Sequence, residues 1–259
     1  VNESLPGGAE LYWRSDGAIP VVWANAGDLL YVRMRNGSSD ELWMTDGGDG
    51  GLQLVKAGLE PVYGGGLEQT GATAAYFNAS ASLSSPVWYW RADAAGVTPL
   101  DTLGVSSNEG DSSAALQDDF YVRNWVRVVR VPAGSAKGEL IFDGGWDYQL
   151  QGMYALGGKL FFVDTADPYT GPEFVLWRYD PAQSRLQRIG AYGSPIAGLT
   201  AMGDSVYFVL NGKDGAPARL MRLSHTSSTA VAAGTLGGDL VDGNSPSTAA
   251  TDSMLYMQL

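Results

Sequence analysis

The hydrophobic positions of this chain recur in six short segments that can be laid over one another. Each segment joins a small or polar turn to a strand rich in aromatic and aliphatic residues. The six are Ala24–Val32, Gly71–Phe77, Leu116–Val122, Leu156–Phe162, Met202–Phe208 and Thr251–Met257. Their aromatic anchors return roughly every 41 to 49 residues, which matches a four-stranded propeller blade and no helical repeat.

A second pattern follows each aromatic strand: an apolar residue, then Trp or another bulky apolar residue, then in most copies Arg. The copies are Leu42–Met44, Tyr89–Arg91, Val128–Arg130, Leu176–Arg178 and Leu220–Arg222, with one more at Tyr12–Arg14. The N-terminal copy has no aromatic strand before it, and the last aromatic strand, Met254–Leu259, has nothing after it. Pairing these two would remove free sheet edges. The sequence therefore predicts an all-β fold, a six-bladed β-propeller closed by pairing of its N- and C-terminal strands.

The repeat also predicts where the remaining strands lie. Small residues mark the inner strands, which we expect at Val21–Asn25, Leu67–Gly71, Ser112–Leu116, Gln151–Leu156, Ala197–Met202 and Pro246–Ala250. Outer strands are expected at Leu52–Val55, Val97–Leu100, Glu139–Phe142, Leu186–Ile189 and Thr229–Ala233. The resulting blades of a single domain, 1–259, are approximately 21–56, 67–100, 112–142, 151–190, 197–233, and 246–259 plus 9–16.

Two segments carry a resemblance to a known group of proteins. Glu10–Gly17, and Glu41–Gly47 followed by Gly50–Lys56, resemble the E-L-W-x-[ST]-D-G-T-x-x-G-T-x-L-V-K repeats of bacterial extracellular β-propeller proteins. Thr is missing after Asp-Gly in both copies, and Val87–Asp93 and Phe174–Asp180 are more divergent versions. The resemblance implies an exported repeat protein that is secreted, periplasmic or at the cell surface; it implies no reaction.

Charge and composition exclude several function classes. Sixteen basic and 28 acidic residues give a net charge of −12, and no Lys or Arg cluster could neutralise several phosphates, so we expect no nucleic-acid partner. Apolar stretches are too short for a transmembrane segment. His225 is the single His and Cys is absent, so a multi-His zinc site is excluded. Because His225 is expected in the short turn Ser224–Ser228, on the face opposite the long loops, we expect no Ser-His-Asp triad either. The S-x-D-x-G-x-x-W box of sialidase-type propellers is also missing from the sequence.

The Trp and Arg columns allow two interpretations each. Trp13, Trp43, Trp90 and Trp177 could stack on sugars, but Val129 and Met221 occupy the same column, which favours apolar packing between blades. The adjacent Arg column points to the other side of the strand. Pairing with a neighbouring blade is the preferred interpretation there, and capture of an anion is the alternative.

Two acidic segments invite a calcium interpretation. Asp46–Gly51 and Asp164–Asp167 cluster oxygen ligands, and Asp164 and Asp167 are weak candidate metal ligands. Neither spacing fits an EF-hand loop, and Asp-Gly is first of all a hairpin turn. We expect no cofactor, with calcium as the alternative.

The loops that lead into the inner strands carry aromatic residues beside glycines, in a setting that core packing explains poorly. A binding role and simple packing within the loops are the two interpretations. Tyr63, Trp146, Tyr148 and Tyr192 are the predicted ligand-binding residues, on the face that bears the long loops. We therefore expect a non-catalytic protein-binding or assembly module with a protein or glycan partner on that face. A carbohydrate-binding lectin and a glycan-active enzyme using axial carboxylates are the alternatives.

Overall fold

The structure is a computed structural model, and β-strands make up most of what it describes. The described residues are 19–36, 39–59, 67–79, 88–105, 112–145, 148–166, 173–212, 216–236, 247–250 and 254–258. They fall into two compact units, one within Val1–Asn124 and Val128–Ile141 and the other within Trp125–Arg127 and Phe142–Leu259. Nowhere in these residues is there a helix long and apolar enough to cross a membrane.

Among the described residues, the strands form five four-stranded antiparallel sheets and one two-stranded sheet, with neighbouring strands consecutive in the chain. The first sheet comprises β1 (Ile19–Ala26), β2 (Leu29–Asn36), β3 (Ser39–Thr45) and β4 (Gln53–Leu59). The second comprises β5 (Leu67–Thr70), β6 (Ala75–Ala79), β7 (Trp88–Asp93) and β8 (Gly96–Pro99). The third comprises β9 (Ser112–Leu116), β10 (Asp119–Arg123), β11 (Arg127–Val131) and β12 (Glu139–Asp143).

The remaining sheets belong to the second unit. The fourth comprises β13 (Tyr148–Leu156), β14 (Lys159–Ala166), β15 (Glu173–Asp180) and β16 (Arg185–Tyr192). The fifth comprises β17 (Ile196–Met202), β18 (Ser205–Leu210), β19 (Arg219–Ser224) and β20 (Val231–Thr235). The two-stranded sheet pairs β21 (Ser247–Ala250) with β22 (Leu255–Gln258).

The sequence repeat reappears as a shared register in these sheets. In the five four-stranded sheets the aromatic strand pairs with the Trp/Arg strand so that equivalent residues face one another, as Phe77 faces Trp90 and Phe162 faces Trp177. The predicted all-β fold of repeated four-stranded sheets is therefore confirmed. The predicted closing strand at Tyr12–Arg14 lies outside the described residues.

Apolar side chains pack between consecutive sheets within each unit. In the first unit the Tyr76 ring stacks on Phe120 at 4.4 Å between ring centroids, and Tyr89 meets the same ring edge-on at 5.3 Å. In the second unit Phe161 and Leu176 of the fourth sheet share a buried cluster with Val206 of the fifth. The inner strands also lie side by side, with β1 beside β5 beside β9 in one unit and β13 beside β17 beside β21 in the other.

Candidate functional site

A polar cleft of about 510 Å³ opens between the fourth and fifth sheets of the second unit. It lies at the end of the two sheets where short turns join the strands, which we call the short-turn edge. The opposite end of the strands is the long-loop edge. The start of β14, the β15–β16 turn with its flanking strand ends, and the β19–β20 turn form the walls of the cleft. Its lining residues are Lys159, Arg178, Asp180, Gln183, Arg185, Gln187, His225, Thr226 and Ser228.

Arg178 joins the two walls of the cleft. Its Nη1 donates to the backbone oxygens of His225 and Ser227, each at 2.8 Å, and its Nη2 donates to Gln187 Oε1 at 2.8 Å. Burial lowers the pKa of the Arg178 guanidinium, and the nearby Asp180 carboxylate opposes that shift. One side chain of the fourth sheet thereby fixes the turn of the fifth.

Asp180 is held from two directions. Lys159 Nζ donates to its Oδ2, and the Ala182 backbone N–H donates to its Oδ1 at 3.1 Å. The hydrogen bond from Lys159 is the main reason that the pKa of Asp180 lies below its usual range. Both oxygens of the one carboxylate in the lining are therefore already engaged.

The only His of the chain packs closely against a glycine turn. A Cβ atom placed on Gly157, in the β13–β14 turn, would lie 2.2 Å from His225 Cε1. The Nε2 atom of His225 is buried and has no hydrogen-bond partner among the described residues. The imidazole ring therefore serves as packing between the two sheets.

Arg185 differs from the other cations of the cleft. It begins β16, opposite Asp180 of β15, and its side chain is exposed. That side chain makes no ion pair or hydrogen bond with the described part of the chain. With His225 neutral, three cations and one carboxylate give the lining a net charge of +2, in a chain of net charge −12. This cleft is the feature that the sequence patterns did not indicate, because Arg185 carries no repeat signature.

Of the four residues predicted to bind a ligand, the structure describes the positions of two, and neither lines the cleft. Tyr63 and Trp146 fall outside the described residues. Tyr148 is the first residue of β13 and Tyr192 is the last residue of β16, so both belong to strands instead of the predicted loops. They lie at the long-loop edge of the fourth sheet, at the other end of the strands from the cleft. Only Tyr192 has a described side chain: it is half-buried, meets Phe208 edge-on at 5.8 Å, and burial raises its pKa.

Asp164, a weak calcium candidate, is completely buried in β14. Its Oδ2 accepts a hydrogen bond from Trp177 Nε1 at 2.8 Å, while its Oδ1 has no partner in the described residues. Burial raises its pKa to about 6, and the Trp177 hydrogen bond partly opposes the shift. Asp167 lies outside the described residues, within which no three His, Cys, Asp or Glu side chains cluster as metal ligands.

The Trp column packs between sheets. Trp177 contacts Phe142 of β12 at 5.4 Å between centroids, and the Lys56 ammonium of the first sheet lies 5.2 Å from the Trp90 ring centre in the second. These contacts favour the packing interpretation over sugar stacking.

The Arg column divides into two groups. Arg91 donates to the Ser135 backbone oxygen of the next sheet at 2.8 Å, as Arg178 does to its own neighbour. Arg130 and Arg222 instead pair within their own sheets, with Asp119 and Asp204. Among the described residues, Arg91 and Arg178 show the predicted pairing with a neighbouring blade.

Comparison with known proteins gives the fold and no family. No family model and no curated protein sequence matches the chain. A prolyl endopeptidase structure is similar with a TM-score of 0.55 at 14% identity, over 93% of this chain and 38% of that one. The β-propeller domain of the trilobed protease from Pyrococcus furiosus, described as having an open velcro topology, has a TM-score of 0.53 at 7% identity, over 93% and 78%.

An oligogalacturonate lyase in complex with manganese has a TM-score of 0.50 at 11% identity, over 79% of this chain and 61% of that one. The chain thus spans less than two thirds of the length of the endopeptidase and of the lyase. These likenesses, together with the repeated four-stranded sheets, show a β-propeller-like fold.

Proposed function

We propose that this chain is a non-catalytic binding module, exported by a bacterium, that recognises a protein partner. The observation that carries the proposal is the polar cleft, whose two walls are joined by hydrogen bonds from Arg178. A preformed cavity with a few converging polar groups is typical of binding sites. Hydrogen bonds that hold the two walls together would lower the entropic cost of binding.

The groups that line the cleft are poorly arranged for acid–base catalysis. Asp180 is engaged by Lys159 and by its own turn, and it is held in the ionised form. His225 makes no hydrogen bond from its ring to a hydroxyl of the described residues, whereas nucleophilic catalysis by Ser or Thr needs such a bond. The described cleft therefore supports binding better than turnover.

The decisive experiment screens the full chain for binding and for turnover side by side. Peptide and glycan libraries are probed for saturable binding, and each ligand found is incubated with the chain and recovered for mass spectrometry, alongside panels of glycosides and esters. We expect peptide ligands to be recovered unchanged and the panels to show no conversion. Conversion that disappears in a variant of any carboxylate would establish the propeller enzyme instead, and binding of glycans alone would establish the lectin.

We further propose that the blades number six and that Tyr12–Arg14 completes the last one beside β22. The proposal is supported by the sheets of the described residues, five with four strands and one, β21–β22, with two. Deleting residues 1–16 should expose a sheet edge and lower the melting temperature of the whole chain. A truncated chain that melts like its parent would favour an open arrangement, the topology described for the Pyrococcus furiosus domain.

The long-loop edge, with Tyr63, Trp146, Tyr148 and Tyr192, is proposed as a second contact surface for the partner. Large aromatic rings supply apolar area at low cost in side-chain entropy. Tyr148 and Tyr192 lie at one edge of the fourth sheet, which is consistent with this role. A calcium ion at Asp164 and Asp167 remains the alternative to a cofactor-free protein.

A further inference from the structure

We infer that the cleft between the fourth and fifth sheets binds an oxyanion, a carboxylate in the first place. Arg185 is the residue that pairs with the negative charge of this ligand. The inference deepens the proposed binding function, on which it rests, by assigning a ligand chemistry to the cleft.

The balance of hydrogen-bonding groups in the cleft points to an acceptor ligand. The Asp180 oxygens are both engaged, and Gln187 Oε1 already accepts from Arg178. The side-chain amide of Gln187 has its acceptor on Oε1 and its donors on Nε2. Since Oε1 is engaged by Arg178, the Nε2–H groups are what Gln187 offers to a ligand. The charged and amide groups that remain available are therefore mainly donors, which suits a ligand rich in acceptor oxygens.

Arg185 supplies the charge for such a ligand. Its guanidinium is exposed at the cleft and forms no ion pair with a described residue. A guanidinium offers parallel N–H donors that match the two oxygens of a carboxylate, and such charge-assisted pairs are about twice as strong as neutral hydrogen bonds. Arg178, in contrast, is committed to the walls.

The electrostatic setting makes the cleft selective within this chain. A patch of net charge +2 on a chain of net charge −12 is a local exception to its surroundings. The negative net charge of the chain repels an anionic group, whereas the cleft attracts it. Charge would therefore determine where the ligand binds more than how tightly it binds. A volume of about 510 Å³ accommodates one small organic anion or one acidic side chain with its backbone.

The test is a calorimetric and NMR titration of the full chain at constant ionic strength. Sodium acetate, sodium sulfate and the blocked dipeptide acetyl-Gly-Glu-amide are the probes, with sodium chloride and acetyl-Gly-Gln-amide as their neutral or non-oxyanion controls. We expect saturable binding of the oxyanions with resonance shifts concentrated in the residues that line the cleft, above all 183–187 and 225–228. A response to the Glu peptide identifies a protein side chain as a source, and a response to acetate or sulfate alone identifies a free small anion.

Variants localise the effect. Arg185→Ala should weaken binding about tenfold or more, since it removes a charge-assisted pair. Arg188→Ala is the matched control, because Arg188 lies on the same strand but pairs with Glu173 at 2.9 Å outside the cleft. Equal binding by wild type and Arg185→Ala, or the lack of saturable binding by every probe, would overturn the inference. If a protein partner still binds and is recovered unchanged, these two results overturn the oxyanion inference but not the proposed binding function. Turnover of a bound ligand would overturn the binding function but not the oxyanion inference.

Discussion

Arg178 of the fourth sheet holds the turn of the fifth through the backbone oxygen of His225, which accepts a hydrogen bond from its Nη1 at 2.8 Å. The same nitrogen reaches the Ser227 oxygen two residues further on. In the first unit Arg91 makes the equivalent contact with Ser135. Arg91 and Arg178, at the same place in the repeat, therefore each join one sheet to a turn of the next.

Replacing Arg178 with Ala should lower the free energy of unfolding by about 3 kcal/mol, because hydrogen bonds from a charged donor contribute about 1.5–3 kcal/mol each and their loss leaves carbonyl groups unsatisfied. Urea unfolding followed by fluorescence gives the value. Arg222→Ala is the control, since Arg222 occupies the same column but is half-exposed and pairs within its own sheet. Equal losses in the two variants would show that the contact to the neighbouring turn contributes little.

Gly157→Ala tests the packing of His225. The residue has a φ of +55° and its Cβ position is occupied by the imidazole, so we expect a loss of about 2–4 kcal/mol from backbone strain and overpacking together. At Gly158, which has a φ of +73° and nothing within 4 Å of its Cβ position, the same substitution should cost only the strain, about 1–2 kcal/mol.

A double-mutant cycle isolates the contact. In a His225→Ala background the Gly157→Ala penalty should fall to that of Gly158→Ala, because the imidazole no longer occupies the space. An unchanged penalty in that background would mean that the ring does not lie against the turn.

The positions of the strands were predictable from the sequence because the same pattern of turn and strand residues occurs in each copy of the repeat. The third inner strand, predicted at Ser112–Leu116, has those bounds as β9. The fourth outer strand, predicted at Leu186–Ile189, extends to Arg185–Tyr192, because Tyr192 still pairs with Phe174 of β15 and packs on Phe208. Strand ends depend on such tertiary contacts, which no local pattern records.

The cleft was not predictable in the same way. It depends on which donors and acceptors remain after neighbouring sheets have paired, and Arg185 and Gln187 are unremarkable outer-strand residues in the sequence. The Arg column of the sequence did predict contacts between blades. It did not show that Arg178 contacts the neighbouring sheet whereas Arg222 pairs within its own sheet. The difference arises from partners distant in the chain.

Trp146→Ala addresses the predicted aromatic surface. If Trp146 anchors a partner at the long-loop edge, truncation should weaken that partner's binding by about 2 kcal/mol or more while the melting temperature stays unchanged. Affinity and thermal stability are measured on the same preparation. A drop in stability with unchanged affinity would assign the ring to packing, and a partner that contacts only the short-turn edge would exclude the surface altogether.

Asp164 makes stability depend on pH. Its pKa is raised from 3.8 to about 6 by burial, so between these values the folded chain keeps a proton that the unfolded chain has lost. The contribution of Asp164 to stability is therefore fully present below about pH 4, decreases as the pH rises to about 6 and stays low above it. The difference between the two pKa values corresponds to about 3 kcal/mol.

Asp164→Asn should remove this dependence while keeping an oxygen that can accept the Trp177 hydrogen bond. We expect the variant to be more stable than wild type at pH 8, by up to about 3 kcal/mol, and the difference to vanish near pH 4. Urea unfolding at a series of pH values measures both, with Asp49→Asn as the control because Asp49 is exposed. A variant less stable than wild type at pH 8 would show that the ionised carboxylate is stabilised in the folded chain, as a bound cation at Asp164 would do.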